Sequence, residues 1–152
     1  MKLVSLVKQG GAAMVEFALV IPIFFLLIFG IIDVGIGVWS YNNLAEAVRE
    51  GGRYAMVRGE DTLLPSGEAG PLTEGPVSCD GVGTEIVVPV VCQFAFAMDP
   101  SRLDVTVTWA EGNNIGDPVV VSAVYAFAPF SNFIPFTVNL QSETRARVAC
   151  CR

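Results

Sequence analysis

The feature that most constrains this chain is a long apolar run near its N-terminus. The run extends from Met14 to Trp39, and its only ionisable residues are Glu16 and Asp33. About 20 apolar residues in a helix are enough to span the hydrocarbon core of a bilayer. A cleaved secretory signal has a shorter apolar region, of about 7 to 15 residues, followed by a small-residue cleavage site. No such site follows Trp39, so the sequence predicts a retained transmembrane helix.

The placement of basic residues predicts the orientation of this helix. Both lysines, Lys2 and Lys8, precede the apolar run, and the next basic residue is Arg49. Because basic flanks tend to stay in the cytoplasm, we expect a cytoplasmic N-terminus and an exported body. The formal net charge of the chain is −6. An acidic body lacks the basic surface that binds phosphates, so nucleic acid is not an expected partner.

The two acids of the apolar run need separate explanations. An acid near the centre of a membrane helix costs about 2.5 to 3.5 kcal/mol, and less near the interface, so such residues usually mark function. Glu16 lies just inside the start of the run and has no evident partner in the sequence. Asp33 lies near its outer end, where it either reaches interfacial water or contacts another subunit.

Beyond the apolar run the pattern predicts a second, different part of the molecule. From Tyr41 apolar residues recur at spacings of three and four, which indicates an amphipathic helix that continues the first one. Three later segments alternate as strands do, at 103–109, 119–127 and 138–148, and a hairpin turn is expected at Glu111 to Asn114. The residues from Glu85 to Met98 fit either a strand or a short helix.

The sequence thus predicts an α+β fold, in which a long N-terminal transmembrane and stalk helix packs on a small antiparallel β-sheet domain. The Phe-rich segment 127–136 either touches lipid or a partner subunit, or folds under the sheet as core. The predicted segments are a leader at 1–11, a transmembrane helix at 12–40, an amphipathic helix extension at 41–58, and an exported β-rich domain at 59–152 that begins with a Gly/Pro-rich surface loop at 59–84.

All four cysteines lie in the part predicted to be exported, where an oxidising compartment permits disulfides. Four cysteines allow three pairings, and Cys79 with Cys92 is the preferred one. The adjacent Cys150 and Cys151 either bridge back, form a bond with each other, or pair with another chain.

Enzymatic chemistry is not expected of this sequence. The chain has no histidine, and therefore lacks the usual general base and the common Ser-His and Cys-His arrangements. It has no Gly-rich phosphate loop and no Cys-x2-Cys zinc spacing. We therefore predict no catalytic residues, no metal, no cofactor and no small-molecule substrate.

Two stretches of the sequence resemble a known family. A basic leader ending in Gly11, followed by Ala12-Ala13-Met14-Val15-Glu16-Phe17 and an apolar helix, resembles the processing site of class-III-signal prepilins. The continuation resembles the TadE-like pseudopilins of tight-adherence (Flp, type IVc) pili. The residues that carry this second resemblance are Asp33-Val34-Gly35, Tyr41, Ala47 to Ala55, Tyr125-Ala126-Phe127 with Pro129 and Phe130, and Thr144 to Arg147.

The resemblance implies a minor pilin, inserted in the bacterial inner membrane with its C-terminal domain in the periplasm and incorporated in an extracellular pilus. A prepilin peptidase would cut after Gly11, making Ala12 the new N-terminus; a cut after Gly10 is the alternative, and only Gly11 makes Glu16 the fifth residue. Glu16, with Phe17 beside it, would then neutralise the amine of Ala12 during subunit assembly.

The partners implied by the resemblance are other pilins and pseudopilins, the pilus assembly platform, the peptidase and membrane lipid. An alternative reading is a permanently anchored single-pass membrane protein. Its periplasmic domain would then act as a binding or assembly module.

Overall fold

A computed structural model describes residues 4–57, 73–83, 85–110, 114–129 and 137–149 of the chain. One long helix, α1 (Val4–Met56), precedes a small domain. The domain contains strands β1 (Thr73–Ser78), β2 (Leu103–Trp109), β3 (Pro118–Phe127) and β4 (Val138–Arg147), with a short helix α2 (Val88–Phe94) between β1 and β2. The predicted α+β fold, with a long apolar helix on a small antiparallel sheet, is confirmed.

Helix α1 is longer at its start than the sequence indicated. A helix was predicted from Ala12, but α1 begins at Val4 and runs through Gly10 and Gly11 without a break. Glycine lowers helix propensity by only about 1 kcal/mol relative to alanine, which the flanking apolar residues offset. The helix ends at Met56, close to the predicted end.

The sheet is an antiparallel meander in which the strands follow their order along the chain, β1-β2-β3-β4. Strands β2, β3 and β4 fall where alternation predicted them, and each pair is antiparallel. In β2 the burial alternates strictly, so that Leu103, Val105 and Val107 face the core. The segment around Val88 that fitted either a strand or a helix is helical.

The C-terminal part of α1 supplies the other side of the core. Leu44, Ala47, Val48 and Ala55 are fully buried against β3, β4 and α2. Burying a Val or Leu side chain contributes about 1.5 to 3 kcal/mol. The amphipathic extension predicted beyond the apolar run is thus the face that attaches α1 to the domain.

Two adjacent glycines allow this close approach. A Cβ at Gly51 would overlap a methyl group of Val91 in α2, and a Cβ at Gly52 would lie 2.5 Å from Cγ2 of Thr144 in β4. Helix α2 and strand β4 therefore pack closely on the same turn of α1, one at Gly51 and the other at Gly52. Close packing, and not backbone flexibility, explains these glycines.

The prediction of a Gly/Pro-rich loop over 59–84 is wrong at residues 73–78, because Thr73–Ser78 forms strand β1 and pairs with β2. Gly75 and Pro76 break the alternation and shift the register between Glu74 and Val77. Gly75 has a φ of +88°, and a Cβ there would collide with the carbonyl oxygen of Val105. Edge strands tolerate proline and bulges, so a sequence that resembles a loop still forms a strand here.

Glu74 is a buried carboxylate that holds β1 against α2. Its Oε1 accepts a hydrogen bond from the backbone N–H of Ile86 at 2.8 Å, and its Oε2 accepts bonds from Val87 at 2.9 Å and Val88 at 3.3 Å. These donors lie at the start of α2, where backbone N–H groups have no partner within the helix. Glu74 therefore substitutes for a local helix cap.

We expect Glu74→Ala to destabilise the domain by about 3 kcal/mol, since buried donors left without a partner cost about 1 to 3 kcal/mol each and the site relaxes in part. Glu74→Gln keeps one acceptor oxygen and should lose less. Urea denaturation of the detergent-solubilised chain, followed by near-UV circular dichroism, measures both. The exposed Glu143→Ala serves as the control, and a Glu74→Ala variant as stable as that control would contradict this role.

Candidate functional site

The N-terminal part of α1 has an exposed apolar surface. The helix from Gly11 to Met56 is long and apolar enough to cross a membrane, and none of its most apolar stretch is buried inside the protein. Phe17 remains 66% exposed and Leu19 69% exposed. Side chains of this kind are unfavourable in water, so the surface requires lipid or other protein around it.

Glu16 lies on this exposed surface, one helical turn from Ala12. Residues four apart lie on the same face of a helix, so the Glu16 carboxylate lies on the same face as Ala12. Together with Ala13, Phe17 and Val20, Glu16 lines a shallow groove of about 250 Å³. Among the residues that the structure describes, none in the same chain pairs with Glu16.

Gly11 lies in open space on the same helix. A Cβ added to it would have nothing within 4 Å. Gly11 is therefore not required for packing within the chain. The nitrogen of Ala12 is an uncharged amide while it is bonded to Gly11, and it becomes a cationic amine only if that bond is cut.

Asp33 marks the other end of the apolar surface. The residue is buried, with 5% exposure, so it does not reach out to interfacial water as one of the two predictions held. It borders an apolar groove of about 410 Å³ between α1 and the ends of β3 and β4. The groove lies where the exposed apolar part of α1 meets the domain.

The cysteines divide into two groups. Cys79, directly after β1, and Cys92, in α2, form a disulfide with a Cα–Cα distance of 5.6 Å. The bond joins the same two elements that Glu74 connects, and therefore reinforces the attachment of the edge strand. Cys150 and Cys151 lie outside the described residues.

Asp99, in the β-sheet domain, has a carboxyl with a lowered pKa. Hydrogen bonds from the hydroxyl of Ser101 at 2.7 Å and from its backbone N–H at 3.1 Å lower the pKa of the Asp99 carboxyl, and the nearby Arg102 adds to this. The side chain caps the short 3-10 turn Pro100–Arg102. This is a local structural role and indicates no catalytic function.

A family model matches the part of the chain that contains Gly11, Glu16 and Asp33. The model described as TadE-like protein matches residues 11–53. The resemblance to the TadE-like family is thereby confirmed over this segment. No curated protein and no solved structure gives a significant match.

The segment that the TadE-like model matches lies entirely within α1 and begins at Gly11. It includes Glu16, Asp33 and the Gly51-Gly52 pair, and it excludes every strand of the sheet. Within the described ranges, no three metal-binding side chains form a cluster that could hold an ion.

Sequence reasoning missed Glu74 and β1. Nothing in the sequence around Glu74 indicates that it caps a helix more than ten residues later. The Gly75-Pro76 pair was visible in the sequence, and it argued for a loop.

Proposed function

We propose that this chain is a minor pilin or pseudopilin that takes part in the assembly of a tight-adherence pilus. The observation that carries the proposal is that the TadE-like match begins at Gly11, the residue after which the leader would be cut. From there one helix runs through the apolar surface into the core of the domain. Such a helix can be inserted in a membrane before assembly and can pack among identical or related helices afterwards.

In this proposal the inner membrane holds the chain with its N-terminus in the cytoplasm and its domain in the periplasm. The position of Lys2 and Lys8 before the apolar run supports this orientation. A prepilin peptidase removes residues 1–11 on the cytoplasmic side. Other pilins and the assembly platform are then the partners of the cut chain, and no catalytic role is assigned to it.

The exposure of Glu16 supports its proposed role between subunits. After the cut, the carboxylate of Glu16 neutralises the amine of Ala12 on the same or a neighbouring chain. Two unit charges about 4 Å apart attract each other by about 4 kcal/mol at an effective dielectric constant near 20. Processing thus creates a partner for Glu16, which pairs with no described residue of its own chain.

The state of the N-terminus in cells tests this function. Gly11→Leu is expected to leave the chain uncut, while Gly10→Leu is expected to permit the cut. Because a Cβ at Gly11 would meet nothing within 4 Å, we expect its replacement to leave the fold of the described residues intact. A chain that keeps Met1 in cells with an active peptidase would favour the alternative, a permanently anchored binding or assembly module.

A further inference from the structure

The charges of the β3–β4 ribbon lie at one end of the ribbon. No Asp, Glu, Lys or Arg occurs in the sequence between Asp117 and Glu143, which includes all of β3 and the start of β4. The register pairs Pro118 with Arg147 at one end of this ribbon and Phe127 with Val138 at the other. The β3–β4 ribbon therefore has a charged end at Arg147 and an uncharged end at Val138.

The uncharged end lies on the side of the apolar helix. A ring carbon of Phe127 lies 3.6 Å from the position of a Cβ on Gly37. At the other end, the N–H of Ala149 donates a hydrogen bond of 2.9 Å to the carbonyl oxygen of Met56. Strand β4 thus follows α1 outward, with its uncharged end nearest to the predicted transmembrane part.

The rise of the helix places this end at the membrane surface. From Gly11 to Asp33 the helix rises about 33 Å, close to the hydrocarbon thickness of about 30 Å. Gly37 lies about 6 Å further out, within the headgroup layer that adds about 5 to 7 Å on each side. Phe127, which contacts the helix at Gly37, is therefore at headgroup level.

The side chains at this level suit a lipid interface. The apolar groove of about 410 Å³ is lined by Val38 and Tyr41 from the helix and by Phe127 and Val138 from the sheet. Tyr41 and Trp39 are each 48% exposed, and Val138 is 41% exposed. Tyr and Trp are enriched where apolar and polar layers of a membrane meet.

We propose that this membrane-proximal surface, formed by Val38, Trp39, Tyr41, Phe127 and Val138, rests in the headgroup layer of the phospholipid bilayer. The occupant is lipid, because the surface is continuous with the helix that would span the membrane and its exposed side chains are uncharged. Asp33 also lines the groove, but it is buried. The contact fixes the height of the domain above the membrane. The inference depends on insertion of the helix and is independent of leader cleavage and pilus assembly.

The test measures the depth of a nitroxide label in the full chain. Val138→Cys provides the labelling site, in a background of Cys150→Ser and Cys151→Ser that keeps the Cys79–Cys92 disulfide. Ile115→Cys is the matched control, since Ile115 is an exposed apolar residue, 65% exposed, near the charged end of the same ribbon. Each chain is placed alone in a nanodisc of phosphatidylcholine and phosphatidylglycerol, so that no second copy can cover the surface.

We expect the ratio of oxygen to aqueous nickel-chelate accessibility to be several-fold higher for the label at position 138 than for the label at position 115. Equal ratios typical of water at both positions would overturn the proposal. So would a label at 138 that is shielded from both reagents, which indicates cover by protein. Asn139→Cys, one residue further along β4, provides a second label at the same depth if Val138→Cys perturbs the fold.

Discussion

Glu16→Ala is expected to leave the chain inserted in the membrane and to reduce its incorporation into pili at least ten-fold. The carboxylate is exposed and supports no contact within the described part of its own chain, so its removal does not alter the fold. In the assembled state it would leave the amine of Ala12 as an unpaired charge among apolar helices. Each 1.4 kcal/mol lost in such a contact is a factor of ten in an equilibrium.

The measurement compares the protein in the membrane fraction with that in sheared pili, by immunoblot. Glu46→Ala is the matched control, because Glu46 is an exposed acid of the same helix whose partner, Arg49, is only 3.6 Å away in a surface pair. Such exposed pairs contribute about 0 to 1 kcal/mol, so this variant should assemble normally. Equal incorporation of both variants would remove Glu16 from the mechanism.

Removal of the Cys79–Cys92 disulfide is expected to destabilise the domain by about as much as Glu74→Ala. The two cysteines are 13 residues apart, and a closed loop of about 15 residues contributes about 3 kcal/mol through the unfolded state. We expect the double variant Cys79→Ala and Cys92→Ala to lose about that much. Urea denaturation of the detergent-solubilised chain measures the loss.

A reducing agent provides the control for this prediction. It should lower the stability of the wild-type chain to that of the double variant and leave the variant unchanged. A double variant with the wild-type denaturation midpoint would show that Glu74 and the core attach β1 and α2 without help from the bond.

The sequence predicted those elements whose residues follow a regular period. Strands β2, β3 and β4 alternate between more buried and less buried positions, and their alternation is visible because the two faces have distinct environments. The helix was predictable from its apolar run and from the amphipathic face near Leu44. Its start at Val4 was not, since two glycines in succession resemble a break.

The remaining features depend on contacts between distant residues. Strand β1 lacks a regular alternation because of the bulge at Gly75, and it becomes recognisable as a strand only through its pairing with β2. The role of Glu74 requires α2 to lie beside β1, and Gly51 matters because Val91 packs on it. Glu16 is a different case, because the sequence suggests a role for it, while in the described part of the chain it is exposed and has no paired residue.

The most direct test of the central claim is the intact mass of the chain from membranes of cells that assemble the pilus. We predict a chain that begins at Ala12, lighter by the mass of residues 1–11. The full-length mass should appear in cells that lack the prepilin peptidase. A chain that begins at Met1 in cells with the active peptidase would contradict the account, because Glu16 would then have no amine of Ala12 to neutralise.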